Sequence, residues 1–523
     1  MQHSIAGKAG SHKGFFTRHV SLRRMLRGLC YIVAMLPGEP FMFRRTKIVA
    51  TVGPACHSAE MLATLIAAGV NVFRLNFSHG HAEGHREVAT RIREAAAAQG
   101  RSVAILADLQ GPKIRIARFR DGGITLRNGA SFTLDASLDE DAGDERRVGL
   151  GYKELPKDCR GGDILLLNDG LIELRVDSVQ GSAVHCTVIA GGELTNNKGV
   201  NRKGGGLSAR ALTDKDIADI ATAADMDVDY LALSFPRNAE DVEEARARFR
   251  DAGGQGDIVA KIERAEAVED HDNLDRIILA ADGVMVARGD LAVEIGDAEL
   301  VGVQKHIIRR ARQLDRFVIT ATQMMESMIN QPQPTRAEVS DVANAVLDGT
   351  DAVMLSAETA TGKFPEQTVR AMDRIILGAE RSWQVRELRD HQEQVPQKID
   401  ESIAAAAMFV ANRLPGVVAI IAMTETGATP RKMSRIRSGL PIFAFTPHVR
   451  SQRRVAMYRG VHTVPFDSHS IAPDEVNARA VSMLEEMGVV RAGDKVILTK
   501  GDYTSVNAGT NTLKIVEVGA AIR

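Results

Sequence analysis

Aromatic side chains are scarce in this chain, with one Trp and five Tyr among 523 residues. That scarcity argues against a stacking platform for nucleic acid. Cysteine is equally rare. Cys30, Cys56, Cys159 and Cys186 make no CxxC pair and no regular framework, so they read as buried or idle thiols of a reducing compartment. Charge of either sign is not in excess: 66 basic residues face 67 acidic ones, a net of −1. Bulk attraction to nucleic acid is therefore excluded as a binding principle, while local basic sites for small anions remain open. No apolar run reaches the ~18 residues that a membrane span needs. What is present, 44% hydrophobic and 25% charged, is ordinary for a soluble globular protein. The length suggests roughly three or four domains.

Residues 1–43 differ from the rest. Lys8, Lys13, Arg18, Arg23, Arg24 and Arg27 stand against the single acid Glu39, and an apolar run from Leu29 to Leu36 follows the arginines. The segment is expected to be a disordered tail or an upstream extension ahead of a start near Met42. A targeting segment is the alternative, although no small-residue cleavage site closes the run.

From Arg45 a rhythm sets in. Strand-like runs end eight segments, Thr46–Val52, Val70–Asn76, Val103–Asp108, Asp229–Phe235, Ile258–Glu263, Gly283–Ala287, Phe317–Thr322 and Asp351–Ser356. Amphipathic helical segments lie between most of them, clearest at 59–68, 82–98, 214–224, 239–252, 301–314 and 336–347. Ser58 and Thr213 are plausible helix caps, and Gly69, Gly100 and Gly349 sit where helices should stop. Alternating strand and helix means a parallel sheet, and eight units predict a closed (β/α)8 barrel.

The rhythm breaks once, after the third strand. Residues 118–203 carry short alternating runs punctuated by Asp121-Gly122, Asn128-Gly129, Asp169-Gly170, Gln180-Gly181 and Gly191-Gly192. Those pairs favour hairpin turns, so an all-β domain is inserted into a barrel loop, placed to act as a lid. A polar stretch, 386–398, then leads to a second α/β region. The expected organisation is barrel at 44–114 and 205–385, inserted lid at 115–204 and a C-terminal α/β domain at 398–523.

Barrel enzymes place chemistry at the C-terminal ends of several strands. Those ends offer Arg74-Leu75-Asn76-Phe77-Ser78-His79, then Asp108, then Lys261 and Glu263, then Arg288-Gly289-Asp290, then Thr322-Gln323, then Ser356 and Glu358. Lys261 and Glu263 are two apart and so share one side of a strand. Such a pair can be a buried ion pair holding a loop. It can equally be a site where Lys steadies developing negative charge and Glu holds a metal. Glu263 and Asp290 are oxygen ligands of the type Mg2+ takes. Lys261 and Arg74 put positive charge where a phosphoryl group would pass. His79 and His81 could be a metal pair, but at that spacing after a strand they read as edging the pocket. No Ser–His–Asp arrangement and no GxGxxG after a strand is present.

These residues resemble the pyruvate kinase family. The likeness rests on Thr46–Pro54, Arg74–Gly80, Val259–Glu263, Met285–Glu294, Ala321–Met328 and Pro334–Glu358, and it runs from about Arg44 to the C-terminus. It implies transfer of the phosphoryl group of phosphoenolpyruvate to ADP, giving pyruvate and ATP, with Mg2+ or Mn2+ as cofactor. By matched position, Arg74 binds the substrate phosphate and Lys261 stabilises the transition state. Glu263 and Asp290 hold the divalent metal. Gly289, Asp290 and Thr322 meet the substrate carboxylate, with Thr322 near the enolpyruvate. Asn76, Phe77, Ser78, His79, Arg115 and Lys198 meet the nucleotide. The loop Thr424-Glu425-Thr426-Gly427-Ala428-Thr429, with Gly509-Thr510-Asn511-Thr512, resembles the family's effector loop and can cradle a phosphate; an ordinary strand–helix turn is the plain alternative. Activation by a sugar phosphate or a nucleotide monophosphate is expected through Thr424, Thr426, Gly427 and Thr429. The family also implies a homotetramer in the cytoplasm, with neither nucleic acid nor membrane as partner.

One departure is informative. Potassium-dependent members read Asp-Thr-Lys-Gly-Pro-Glu-Ile-Arg after the third strand, whereas this chain reads Asp108-Leu109-Gln110-Gly111-Pro112-Lys113-Ile114-Arg115. A fixed ammonium, Lys113, replaces the Glu. Asn76, Ser78, Asp108 and Leu109 keep the monovalent-cation position, yet K+ is expected not to be required. Two other readings compete: a metal-dependent carbon–carbon lyase on a related barrel, and a non-catalytic metabolite sensor. A lyase needs no ADP lid, and a sensor would need a broken site.

Overall fold

Short runs of β-branched and small apolar residues, buried on both faces, form the wall of a barrel. In this computed structural model, which describes residues 43–381, 395–502 and 509–521, eight such runs are parallel strands: Lys47–Thr51 (β1), Val72–Asn76 (β2), Ala104–Asp108 (β3), Tyr230–Leu233 (β4), Asp257–Ile262 (β5), Gly283–Ala287 (β6), Phe317–Ala321 (β7) and Ala352–Leu355 (β8). Each pairs with its neighbour in sequence, and β8 pairs with β1 to close the cylinder. Polar side chains alternate poorly here because helices cover the outside and packed side chains fill the inside.

The helices begin where the sequence places their caps. Ser58 accepts from the Met61 N–H at the start of Ala59–Ala68. Thr213 with Asp216, and Thr335 with Glu338, form reciprocal capping boxes, each satisfying two orphan N–H groups. Gly349 closes the helix Arg336–Asp348 at φ 94°, a conformation that suits glycine. One helix expected from residue 301 starts earlier, at Asp297. Asp297 and Glu299 lie in its first turn, where the helix dipole favours anions. The segment Arg288–Ile295, which follows the sixth strand directly, is helical and puts Gly289 in the first turn. The N-terminal extension through Met42 and most of the polar linker, 382–394, lie outside the described residues.

Between β3 and β4 the inserted segment folds into antiparallel hairpins. A six-stranded sheet runs from the edge strand Val200–Arg202 to the edge strand Arg147–Gly149, which pairs parallel to Ser131–Asp135, and Gly123–Leu126 pairs with Gly192–Thr195. Its own core includes Phe132, Leu134, Leu165, Leu174 and Val176. The insertion rests on the barrel mouth through Asn201, whose amide donates to Glu294 Oε1 at 3.4 Å, and through the Gly204 N–H to Glu294 O at 3.1 Å.

The C-terminal unit is an open sheet built from Val417–Met423 (β9), Ile442–Thr446 (β10), Val461–Pro465 (β11), Lys495–Gly501 (β12) and Thr510–Glu517 (β13), in the order β11-β10-β9-β12-β13. The first four are parallel and β13 is antiparallel. β11 lies at the edge of this sheet. It ends in Pro465, which only an edge strand tolerates.

The C-terminal unit closes the floor of the barrel. Inward residues Val49, Val72, Tyr230, Met285 and Phe317 form one apolar cluster with Val455, Ala456, Met457 and Tyr458. The Phe317 ring lies 5.4 Å from Tyr230 and 6.1 Å from Tyr458. At the rim, the buried Glu380 carboxylate accepts from the Arg45 and Thr46 N–H groups at 2.9 and 2.8 Å. The expected cost of Tyr458→Ala is about 3–5 kcal/mol, read as a lower midpoint of the first unfolding transition. An unchanged midpoint would mean that the two units do not share a core.

Candidate active site

Four side chains from three strand ends and one following residue meet at the mouth. Arg74, in β2, donates through Nε to Asp108 Oδ2 at 2.5 Å and through Nη1 to Thr51 Oγ1 at 3.1 Å. Asp108, the last residue of β3, is fully buried. Lys261, next to last in β5, lies 3.3 Å from Asp108 Oδ1 and 2.9 Å from Glu263 Oε1. Its ammonium also donates to Ser234 Oγ at 2.7 Å, and Ser234 in turn donates to Leu109 O at 2.7 Å.

Ser234 and Phe235 were not among the sequence candidates, although they end the fourth strand-like run. Ser234 aims the Lys261 ammonium. Phe235, at φ 56°, gives its N–H to Glu263 Oε2 at 2.8 Å. A hydroxyl or a backbone N–H carries no charge signature in a sequence, which is why both passed unmarked.

The electrostatics follow from this packing. Burial pushes the Asp108 carboxyl up, but Lys261 and Arg74 outweigh it and hold the group below its usual range. Burial works against the Lys261 ammonium, yet Asp108 and Glu263 raise it above the ordinary lysine range. Glu263 is pushed up to about 7 by burial, with Asp290 and Asp108 adding and Lys261 opposing. Asp290 is raised by burial too, Lys261 opposing and Asp169 of the inserted domain adding. Crowded, desolvated carboxylates of this kind are relieved by a cation.

The donor set fits a hard divalent ion. Glu263 Oε1 and Asp108 Oδ1 are buried oxygens that face the Lys261 ammonium, at 2.9 and 3.3 Å. Among the described residues no group of three or more His, Cys, Asp or Glu side chains could cage a metal. Mg2+ matches that sparse set, since it keeps waters and binds through one or two carboxylates plus substrate oxygens. Glu263 and Asp290 would hold it.

Thr322 and Gln323 follow β7 in the left-handed region, at φ 63° and 52°. Two consecutive non-glycine residues there store strain of about 1–3 kcal/mol each. The buried Arg288 guanidinium holds the turn, donating to the carbonyls of Ala321, Thr322 and Gln323 at 3.2, 2.6 and 3.1 Å and to Asp341 at 2.8 Å. The Thr322 hydroxyl accepts from the Gly289 N–H at 2.9 Å. Glu358 faces backbone: its carboxylate takes the Ser356 N–H at 2.6 Å and the Met325 N–H at 3.2 Å.

The loop after β2 lies beside this cluster. Asn76 Oδ1 accepts from the Ser78 N–H at 3.1 Å. The Phe77 ring is buried and stacks on His85 at 4.3 Å, leaving its carbonyl to take Lys215 Nζ at 2.7 Å. Lys113 Nζ reaches Ser78 O at 3.4 Å. His79 is exposed and its carbonyl accepts from His85, while His81 caps the next helix through the Gly84 N–H, so the two histidines are not a metal pair. Arg115 and Lys198 stand apart from the Lys261 cluster, on the two strands of chain that join barrel to insertion. There Arg115 bridges Gly199 and the Ile116 N–H donates to Lys198 O at 3.0 Å.

The C-terminal unit has a cavity of its own. It measures about 310 Å3 and is lined by Thr424, Thr426, Thr429, Thr510 and Lys500, with Glu425 and Asp502 at its sides. Gly427 caps the helix Ala428–Arg435 at φ 85°, and its N–H donates to Thr424 Oγ1 at 2.9 Å. A Cβ there would meet Val455 Cγ1 at 2.8 Å.

Comparison with known proteins adds the following. A family profile described as pyruvate kinase, barrel domain, matches residues 43–369, and one described as pyruvate kinase, alpha/beta domain, matches 401–516. The chain is 57% identical over 477 residues to pyruvate kinase II of Salmonella typhimurium, covering 91% of this chain and 99% of that protein. It is 53% identical over 475 residues to the pyruvate kinase of Haemophilus influenzae, with 91% and 99% covered. A crystal structure of a pyruvate kinase from Cryptosporidium parvum superposes with a TM-score of 0.84 at 34% identity, covering 91% of this chain and 96% of that one. For the divalent site, Mn2+ added to the protein should enhance water-proton relaxation, and Glu263→Gln with Asp290→Asn should abolish the enhancement. Undiminished enhancement in the double variant would place the ion elsewhere.

Proposed function

The chain belongs to the pyruvate kinase family, and from that premise we propose the division of labour at its site. The single observation that carries the proposal is the ammonium of Lys261, held by Asp108, Glu263 and Ser234 at the open end of the barrel. In the reaction, the P–O bond of phosphoenolpyruvate breaks and a P–O bond to the terminal phosphate of ADP forms. The enolate left behind takes a proton at carbon and becomes pyruvate.

Arg74 receives the substrate phosphate through Nη2, with Nε fixed on Asp108 and Nη1 on Thr51 Oγ1. Lys261 faces the phosphoryl oxygens as charge spreads over them, which is where a preorganised cation lowers the barrier most. Glu263 and Asp290 would hold Mg2+ or Mn2+, which would supply further positive charge at the site. Gly289, Asp290 and Thr322 orient the substrate carboxylate. The Thr322 hydroxyl, positioned by the strained turn, lies near the carbon that gains the proton. Asn76, the Phe77 backbone, Ser78, His79, Arg115 and Lys198 receive ADP. The antiparallel pair at Arg115 and Gly199 is the stem on which residues 115–204 close over 44–114 and 205–385.

K+ is not needed in this reading. The Lys113 ammonium stands beside the position that Asn76, Ser78, Asp108 and Leu109 would offer the ion, reaching Ser78 O at 3.4 Å. The cavity in the unit spanning 398–523 binds a phosphorylated activator, a sugar phosphate or a nucleotide monophosphate, through Thr424, Thr426, Gly427 and Thr429. A homotetramer working in the cytoplasm completes the proposal. Among the described residues no helix is long and apolar enough to cross a membrane.

Lys261→Met should lower kcat for pyruvate formation about a thousandfold, with phosphoenolpyruvate still bound; a loss under tenfold would remove Lys261 from the chemistry. Replacing Tris with K+ in sodium-free buffer should raise the initial rate less than about tenfold, which is ~1.4 kcal/mol of barrier, and Lys113→Glu should create a K+ requirement. A larger rise in the unaltered enzyme would contradict the role of Lys113.

A further inference from the structure

β5 has two ends, and both are engaged. Its upper end carries Lys261 and leads to Glu263. Its first residue, Asp257, is buried at the barrel floor, where Oδ1 lies 3.0 Å from Arg454 Nη2. The same guanidinium reaches the carbonyl of Thr426 in the cavity loop, Nη1 to O at 3.4 Å. The main-chain carbonyl of Arg454 accepts the hydroxyl of Tyr230, the first residue of β4. That strand leads to Ser234 and Phe235, which hold Lys261 and Glu263 from the other side.

Arg454 ends the helix Val449–Arg454, and this helix faces two ways. Arg450 and Arg453 grip Asp227 at 2.9 and 3.3 Å, in the turn that precedes β4. On the other side the Ser451 hydroxyl donates to Glu425 O. Two consecutive carbonyls of the cavity loop, those of Glu425 and Thr426, are therefore held from one short helix. Peptide units are planar, so the C=O of Glu425 turns with the N–H of Thr426, and the C=O of Thr426 with the N–H of Gly427. An anion that takes the Thr426 N–H, or draws the Gly427 N–H away from Thr424 Oγ1, rotates the carbonyls that Ser451 and Arg454 hold.

We propose that Arg454 is a positioning residue that couples occupancy of the C-terminal cavity to β5, and so to Lys261 and Glu263. The inference rests on the reading of that cavity as a site for a phosphorylated activator. Burial favours a tight joint: the side chains of Arg454 and Asp257 are 24% and 11% exposed. Burial also pushes the Asp257 carboxyl up to about 6, Asp282 adds to this, and Arg454 leads the opposing charges. A displaced guanidinium thus changes the balance at the foot of the strand. Ligand binding biases two arrangements of one element only through such differential contacts.

The test compares the whole enzyme with Arg454→Met, Asp257→Asn and Arg450→Met, using ribose 5-phosphate, glucose 6-phosphate and AMP as probes. Binding is read by calorimetry and half-saturation for phosphoenolpyruvate by steady-state rates. At least one probe should lower the half-saturation of the unaltered enzyme about fivefold or more, a usual size for allosteric coupling, and less than about twofold in Arg454→Met and Asp257→Asn. Both variants should still bind the probe, and Arg450→Met, which removes the contacts to Asp227 and Gln255 but leaves those of Arg454 in place, should respond like the unaltered enzyme. Either of the first two variants suffices if the other fails to fold. A full response in both overturns the coupling role, and loss of probe binding in both also overturns it by moving Arg454 into the cavity. If no probe binds the unaltered enzyme, the activator reading falls and takes this inference with it.

Discussion

One ammonium, placed between two buried carboxylates, is the constraint on which the site depends. Asp108 and Glu263 hold the Lys261 ammonium above the ordinary lysine range, and Lys261 in turn opposes the burial that pushes both carboxyls up. Such a cluster is costly to desolvate and worth little for stability alone. The cost makes sense at a place where positive charge must be ready before a negative transition state arrives. Everything around it limits movement: Ser234 fixes the ammonium, the Phe235 N–H fixes Glu263, and Arg74 shares Asp108.

The barrel explains how residues nearly two hundred positions apart reach one point. Parallel strands bring all their C-terminal ends to one rim, so each strand has only to end in the right residue. The opposite rim is sealed by the C-terminal unit, whose Val455–Tyr458 segment completes the apolar interior. A floor made from a second domain exposes the foot of each catalytic strand to that domain. The inserted β-domain plays the complementary part above, with Asp169 already felt by Asp290 and Asn201 anchored on Glu294.

Much of this was legible in the residues themselves. The alternation of strand and helix predicted the barrel, and the turn pairs of residues 118–203 predicted the insertion. Lys261 and Glu263 were visible because two charges at spacing two inside an apolar run need a reason. Three things were not legible. Ser234 and Phe235 act through a hydroxyl and a backbone N–H, neither of which marks itself. Arg288 reads like any cation at a strand end, yet it supports the left-handed Thr322–Gln323 turn from within. Glu358 reads like one more charge at a strand end, yet it caps two backbone N–H groups. In each case the partner lies far along the chain, and only the fold brings the two together.

The central claim is that this cluster steadies a phosphoryl group between two oxygens. Phosphorus-31 NMR of the purified enzyme with phosphoenolpyruvate, ADP and Mg2+ tests it most directly. The account predicts that the phosphoenolpyruvate and ADP signals decay together while the three ATP resonances grow in equal measure. Protein that binds Mg2+ and phosphoenolpyruvate but leaves the ADP signals unchanged, with any activator or salt, would contradict it.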